Sequence, residues 1–376
     1  MIKSFEGLRG VAALGVALTH LEFSSVPVDS MRYLYSWTAY LLVDLFFVLS
    51  GFVIGHTYES KLDSVSNLGN FVVRRTGRLY PLFVFSTITF VALGNLSQLI
   101  KAVLVHAGYG GYFHETIINY PIPSIGELLS AATLTHSLGF FDHLILNFPS
   151  WSISTEYYTY LIFGVCVVFL SPTSRSPMYV LLIIISAVVT VAGSLGQHCL
   201  STSECMYLTS DLGIFRCLAE FLLGVFAAKC SQKPEISTIA RSSVVQTTGL
   251  MGFIAILVLS RQLPWLAFLT PLVLFMLILS VSADTGWVAR LFALRLPTYL
   301  GKISYSIYLM HAPTMIVFSY LIRAVHGRAQ MLIVAGAFVA TVIAVSHLTF
   351  RYIEDPFRAR ANALADRLFL KHTKVP

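Results

Sequence analysis

The strongest constraint on this chain is a series of apolar segments that are long enough to cross a membrane. Of the 376 residues, 56% are hydrophobic and only 11% are charged, whereas soluble domains are less apolar and about twice as charged. A transmembrane helix needs about 20 apolar residues. The pattern therefore predicts an all-α polytopic membrane protein with about ten transmembrane helices, at 8–23, 37–58, 79–99, 151–170, 178–195, 212–228, 244–260, 265–282, 298–322 and 331–352.

The basic residues predict the orientation of these helices. With the N-terminus inside, most of the 25 Lys and Arg residues fall in inner segments, as the positive-inside rule requires, so both termini are expected in the cytoplasm. This bias also accounts for the net charge of +7 without a nucleic-acid partner. The apolar segment 125–141 would reverse the bias if it crossed the bilayer. We therefore expect a re-entrant or interfacial helix in the outer region 100–150, which either covers an outward-facing sugar site or is an ordinary connection.

The first predicted span carries two ionisable residues, Arg9 and His20. On a helix they lie about 16 Å apart along the axis and within about 20° of one face. An ionisable group in the hydrocarbon costs about 2.5 kcal/mol or more, which makes it a functional-site hypothesis. The alternative is a histidine that serves only as a hydrogen-bonded contact between helices.

Ionisable residues on five predicted spans fall at similar depths in the outer half of the bilayer. Each of them alone suits a structural ion pair. Together they predict one polar chamber for chemistry or transport. The five residues are His20, Asp44, Glu156, Arg216 and His311.

An arginine cluster precedes the third span on the inner side. Arg74, Arg75 and Arg78 stand in the sequence VVRRTGRLYP, which we expect at the end of an inner loop over 59–78. Guanidinium groups hold phosphates through paired hydrogen bonds. The alternative is a membrane anchor that only follows the positive-inside rule.

The five cysteines show no metal-like spacing, so no metal site is predicted. Cys199 and Cys205 share the outer loop between the fifth and sixth spans. They can form a disulfide if that side is oxidising.

Six segments of the chain resemble motifs of the acyltransferase 3 family, a group of integral membrane enzymes. They follow the family order and are distributed over almost the whole chain, from 8 to 358. Met310 stands where an aromatic residue often precedes the histidine, and Asp355 departs from the final motif. The matching segments are LRGVAALGVALTHL, VDLFFVLSGFVIG, RRTGRLYP, SWSISTEYYTYL, LGKISYSIYLMH and YIEDPFR.

The resemblance implies an O-acyltransferase. Such an enzyme moves an acyl group, usually acetyl, from cytoplasmic acyl-CoA to a hydroxyl of an extracytoplasmic carbohydrate or glycolipid in the cell envelope. It implies a multi-pass protein of the bacterial inner membrane, with acetyl-CoA as a substrate and no bound cofactor. We expect one transmembrane domain over 1–358 and a short basic cytoplasmic tail over 359–376, with no room there for the extracytoplasmic domain that some members carry. Homo-oligomerisation is left open.

The resemblance also implies roles for individual residues. Arg9 and the arginine cluster would bind the donor, and His20 would accept the proton of the attacking alcohol, since a neutral imidazole suits this task near neutral pH. Asp44 or Glu156 would tune His20, and His311 is a rival for the role of base. An acylated His20 relay remains open. Further residues of the chamber are Arg216, Tyr305 and Tyr308.

A transporter or flippase for a glycan, lipid or small molecule is the alternative function. It would use the same charges as a binding site. Transporters commonly show repeated halves with broken helices, and this sequence shows no such repeat.

Overall fold

The computed structural model describes residues 2–21, 39–109, 118, 120–323, 325 and 327–369. Within these residues the protein is helical and has no β-strand. The α-helices are α1 Lys3–Thr19, α2 Leu42–Tyr58, α3 Val65–Leu104, α4 Ile125–Ala132, α5 Trp151–Phe169, α6 Pro172–Gly196, α7 Cys199–Thr202, α8 Gly213–Ser231, α9 Pro234–Ala240, α10 Ser243–Leu259, α11 Thr270–Val281, α12 Trp287–Phe292, α13 Arg295–Lys302, α14 Ser304–Arg323, α15 Arg328–Thr349 and α16 Asp355–Phe369.

The helices confirm an all-α membrane protein. In the described part of the chain, six helical segments are long and apolar enough to cross a bilayer, and α2 and α10 are shorter apolar helices. Each predicted span coincides with one or two helices in its described part. Residues 22–38, which include the end of the first span and the start of the second, lie outside the described residues. The count of ten and the cytoplasmic position of both termini remain predictions.

Helix α3 differs from the prediction. It runs for 40 residues and contains the arginine cluster, which the sequence had suggested would lie in a loop. The side chain of Ser64 caps its first turn by accepting a hydrogen bond from the Asn67 amide. Pro81 lies inside the helix, where a sequence reading would place a break, and membrane helices tolerate such prolines. The buried face continues through the arginines, because Phe71 and Leu79 are both buried.

Helices α2 and α8 pack backbone to backbone. A methyl group added at Gly51 would lie 1.8 Å from the carbonyl oxygen of Phe221, and one at Gly224 would lie 2.0 Å from that of Val48. Small residues permit this close approach between membrane helices. The contact fixes the rotation of α2 and therefore decides which of its side chains face α8.

Between the end of α3 and the start of α5, the described residues form one short α-helix, α4. Its eight residues span about 12 Å, which is far less than the roughly 30 Å of a hydrocarbon core. Ser124 and Glu127 form a capping box at its start. This geometry agrees with a segment that does not cross the bilayer. Residues 110–117 and 119 of the region lie outside the described residues.

Two further features concern the loops and the C-terminal segment. Cys199 and Cys205 form a disulfide, so the pairing that the sequence allowed is present. The segment predicted as a tail continues as α16, which packs along α3 through an ion pair between Arg74 and Asp366. Residues 370–376 of that segment lie outside the described residues.

Candidate active site

A cavity of about 70 Å³ lies between α1, α2, α3, α5 and α14. The residues that α2 contributes recur at helical spacing over about 16 Å of its length, so the cavity follows the helix. One end carries arginines and the other carries aromatic rings. The lining residues are Arg9, Val43, Phe46, Phe47, Ser50, Val53, Ile54, Arg75, Arg78, Leu79, Ser152, Ile153, Glu156, Tyr160, Ser304, Tyr305 and Tyr308.

Three guanidinium groups from two helices line the cavity. Arg9 is paired with Glu6 one turn earlier in α1, and Arg75 donates a hydrogen bond of 3.1 Å to the hydroxyl of Tyr58. The Nε atoms of Arg9 and Arg75 are buried without an acceptor. Buried N–H groups normally have a hydrogen-bond acceptor, so these two groups could donate hydrogen bonds to an anion at this end of the cavity.

The third member of the predicted cluster faces elsewhere. Arg74 pairs with Asp366 of α16, and its Nε donates to Asn70 Oδ1 at 2.8 Å. Arg75 and Arg78 line the cavity, whereas Arg74 does not. Consecutive positions on a helix point about 100° apart, so a continuous α3 separates neighbours that a flexible loop would have allowed to converge.

A carboxylate lines the same cavity. Glu156 Oε1 accepts a hydrogen bond of 2.5 Å from the hydroxyl of Tyr160. That hydroxyl also lies 2.7 Å from Ser50 Oγ. The three polar side chains connect α5 to α2 across the cavity. Sequence reasoning selected Glu156 but missed Tyr160 and Ser50. The spacing of Glu156 and Tyr160, one helical turn apart, was the only signal for the pair.

Two histidine rings meet beyond the aromatic end of the cavity. The ring centroids of His20 and His311 are 5.1 Å apart, and Phe148 lies 5.0 Å from His20. His311 is fully buried, whereas His20 is half-buried. The ring of Tyr308, which lines the cavity, lies 6.0 Å from that of His311. Neither histidine lines the cavity itself, and Tyr308 is the lining residue whose ring contacts the histidine pair.

The hydrogen bond of His20 defines its tautomer. Its Nδ1 lies 2.8 Å from the carbonyl oxygen of Val16. Because a carbonyl oxygen only accepts, Nδ1 carries the proton, and the basic lone pair is on Nε2.

Tyr305 and Tyr308 both line the cavity, as the sequence predicted for chamber residues. The hydroxyl of Tyr305 donates to the carbonyl oxygen of Leu79 at 2.6 Å. The hydroxyl of Tyr308 accepts from Ser152 at 2.8 Å. These bonds fix α14 against α3 and α5.

The remaining predicted chamber residues form a separate ion pair. Arg216 donates from Nε to Asp44 at 2.7 Å and from Nη2 to the carbonyl oxygen of Tyr40 at 2.9 Å. Both side chains of the pair are 0% exposed, and Glu220, one turn further along α8, is also fully buried. Neither Asp44 nor Arg216 lines the cavity.

The structure does not bring the five ionisable residues into one chamber. It places His20 with His311, Glu156 in the cavity, and Asp44 against Arg216. A buried charge is normally paired with an opposite charge, and the close contact of α2 with α8 places Asp44 beside Arg216. Depth along the membrane normal, which the sequence gives, does not determine which face of a helix a residue occupies.

Among the described residues, no group of three or more His, Cys, Asp and Glu side chains is placed to hold a metal ion. The polar groups that line the cavity are guanidinium, carboxylate and hydroxyl groups.

Comparison with known proteins shows the family to which the chain belongs. A family model described as an acyltransferase domain matches residues 2–349. The peptidoglycan O-acetyltransferase OatA of Listeria monocytogenes is 23% identical over 379 residues, which cover 95% of this chain and 56% of the relative. A candidate O-acetyltransferase of Staphylococcus aureus strain COL is 24% identical over 381 residues, covering 95% of this chain and 57% of the relative.

A shorter match has a higher sequence identity. Protein 2 of the picA locus of Rhizobium radiobacter is 44% identical over 84 residues, which are 22% of this chain and 39% of the relative. The chain spans a little over half the length of the Listeria and Staphylococcus relatives. No solved structure matches this chain.

Proposed function

Because this chain belongs to the acyltransferase 3 family, we propose that it is a membrane-embedded O-acyltransferase that moves an acyl group, acetyl in the first instance, from acyl-CoA to a hydroxyl of a cell-envelope carbohydrate. The relatives named for O-acetylation support the transferred group, and the peptidoglycan enzyme among them supports the acceptor class. The observation that carries the proposal is an arginine-lined cavity whose lining residue Tyr308 contacts the pair of His311 and His20.

The donor fits the two ends of this cavity. Its anionic pyrophosphate would lie against Arg9, Arg75 and Arg78, where buried N–H groups need acceptors. Its long pantetheine arm would follow the apolar face of α2 past Val53 and Phe46. The thioester would then reach the histidine pair, because Arg9 and His20 are about 16 Å apart along α1. We place the arginine end at the cytoplasmic face of the bacterial inner membrane, where acyl-CoA is made.

His20 would act as the general base. The alcohol oxygen attacks the thioester carbonyl while Nε2 of His20 takes the alcohol proton. The carbon–sulfur bond then breaks, and the thiolate leaves and recovers that proton as a thiol. The bond between Nδ1 and Val16 holds the tautomer that this step needs. His20 suits the role better than His311 because it is the more accessible of the two rings.

The test compares His20→Ala and His311→Ala with a control, His143→Ala, which removes an exposed imidazole beside Asp142. Purified protein in lipid nanodiscs is assayed for donor binding, acyl transfer and thiol release. We expect His20→Ala to bind the donor normally and to lose transfer, with the control unchanged. Transfer by His20→Ala at near the parent rate would overturn the assignment. An acyl-histidine trapped by acid quenching would support the relay instead.

The same assay separates the transferase from a transporter or flippase. A transferase consumes acyl-CoA and releases one thiol for each ester formed. A transporter would move the acceptor without thiol release.

A further inference from the structure

A second cavity lies beside the first, where α2 ends and α3 begins. It encloses about 450 Å³. Two cationic side chains and two amides line it, together with one aromatic ring and smaller groups. The lining residues are Thr57, Tyr58, Lys61, Leu62, Asn67, Asn70 and Arg74.

The two cavities share a wall. The guanidinium of Arg75, which lines the first cavity, lies 5.2 Å from the ring centroid of Tyr58, which lines the second. The same guanidinium donates to the Tyr58 hydroxyl. A ligand with two separate anionic groups could therefore place one group in each cavity, with its connecting part next to Arg75 and Tyr58.

Resting on acyl-CoA as the donor, we propose that the second cavity binds the 3′-phosphoadenosine end of CoA and that Lys61 and Arg74 recognise its 3′-phosphate. This group is a phosphomonoester, and a guanidinium binds it through charge-assisted hydrogen bonds. The protein would then discriminate CoA from donors that lack the 3′-phosphate. This assigns a separate function to Arg74, the arginine that the first cavity does not use.

The hydrogen-bonding state of α3 supports an anion at this site. Nδ2 of Asn70 is buried without an acceptor, and Oδ1 of the same side chain holds Arg74 in place at 2.8 Å. Asn70 thus orients the guanidinium of Arg74 through Oδ1, and its Nδ2 group has no acceptor. A phosphate oxygen would satisfy that donor.

Asp366 opposes the phosphate and provides a test of opposite sign. It pairs with Arg74 and is 46% exposed. A phosphate at Arg74 would lie near this carboxylate and be repelled by it. Replacing Asp366 with asparagine removes the repulsion and keeps the shape of the side chain, so CoA should bind more tightly to that variant.

The experiment measures the affinities of CoA and dephospho-CoA for the full chain in nanodiscs by calorimetry. The parent should bind CoA roughly tenfold or more tightly than dephospho-CoA, as expected for charge-assisted contacts. Arg74→Gln and Lys61→Gln should each remove much of that difference by weakening CoA alone. Asp366→Asn should strengthen CoA binding severalfold and leave dephospho-CoA unchanged. The control is Arg367→Gln, which removes an exposed charge beside Asp366.

Two results would overturn the assignment in distinguishable ways. Equal weakening of CoA and dephospho-CoA by Arg74→Gln would show that Arg74 does not recognise the 3′-phosphate, while acyl-CoA would stand as the donor. If the folded parent bound neither CoA nor dephospho-CoA, both the proposed donor and this subsite would be refuted.

Discussion

The ion pair between Asp44 and Arg216 should stabilise the fold rather than take part in the reaction. Both side chains are 0% exposed, and neither lines the cavity. Removing one partner of a buried pair costs about 3–5 kcal/mol, because an uncompensated charge remains. The two single substitutions differ in what they leave behind, and the structure predicts their order.

Arg216→Met leaves the buried carboxylate of Asp44 without its cation, and Oδ2 of that carboxylate already has no hydrogen-bond partner. We therefore expect a loss of free energy of unfolding near the upper end, about 5 kcal/mol. Asp44→Asn leaves Arg216 with its hydrogen bond to the carbonyl oxygen of Tyr40, so its loss should lie near the lower end, about 3 kcal/mol. The double variant, Arg216→Met with Asp44→Asn, removes both charges, and its loss should be smaller than the sum of the two single losses by about 2 kcal/mol or more.

The assay is equilibrium unfolding in mixed detergent micelles, with transfer measured per folded molecule on the same preparations. We expect unfolding free energies to fall in the stated order and the specific activity of the folded fraction to stay near the parent value. Substitution of Ser243, an exposed residue at the start of α10, by alanine is the control. An Arg216→Met protein that is as stable as the parent but inactive would refute this reasoning and return Arg216 to the active site.

Three further predictions follow from packing, charge and topology. Gly51→Ala should destabilise the fold by about 3 kcal/mol or more, because overpacking typically costs about 1–3 kcal/mol and the added methyl group would lie 1.8 Å from a backbone oxygen of α8. The control in the same unfolding assay is Gly336→Ala, since a methyl group at Gly336 would meet open space. Arg78→Ala should weaken CoA binding in calorimetry roughly tenfold or more, the value of one charge-assisted contact, and unchanged affinity would exclude Arg78 from the donor site. A single cysteine at Ser124 should react with an impermeant thiol reagent on whole cells, whereas one at Ser66 should not, and the reverse pattern would invert the predicted orientation.

The positions of the helices could be read from the sequence because membrane-length apolar segments leave few alternatives. Several polar residues that line the cavity could also be identified from the sequence. Arg9 and Glu156 were selected as ionisable residues on apolar spans and Tyr305 through the family resemblance, and each lines the cavity. The end of the predicted inner loop was wrong, because local rules place a break before Pro81 whereas α3 continues through it. A buried face on both sides of the proline stabilises the helix, and single-residue propensity does not record that face.

The division of polar residues between the cavity and the ion pair has one physical cause in α2. Val48 and Gly51 lie against the backbone of α8, and Asp44, one turn before Val48, lies on the same side and meets Arg216. Val43 is only one residue from Asp44, yet it lines the cavity, because consecutive residues on a helix point about 100° apart. The glycine contact thus sets the rotation of α2, which buries Asp44 against α8 and turns Ser50 toward Glu156 and Tyr160. The ion pair therefore stabilises one wall of the cavity from its outer side. Asp44 links α2, the helix along which the donor would lie, to Arg216 of α8.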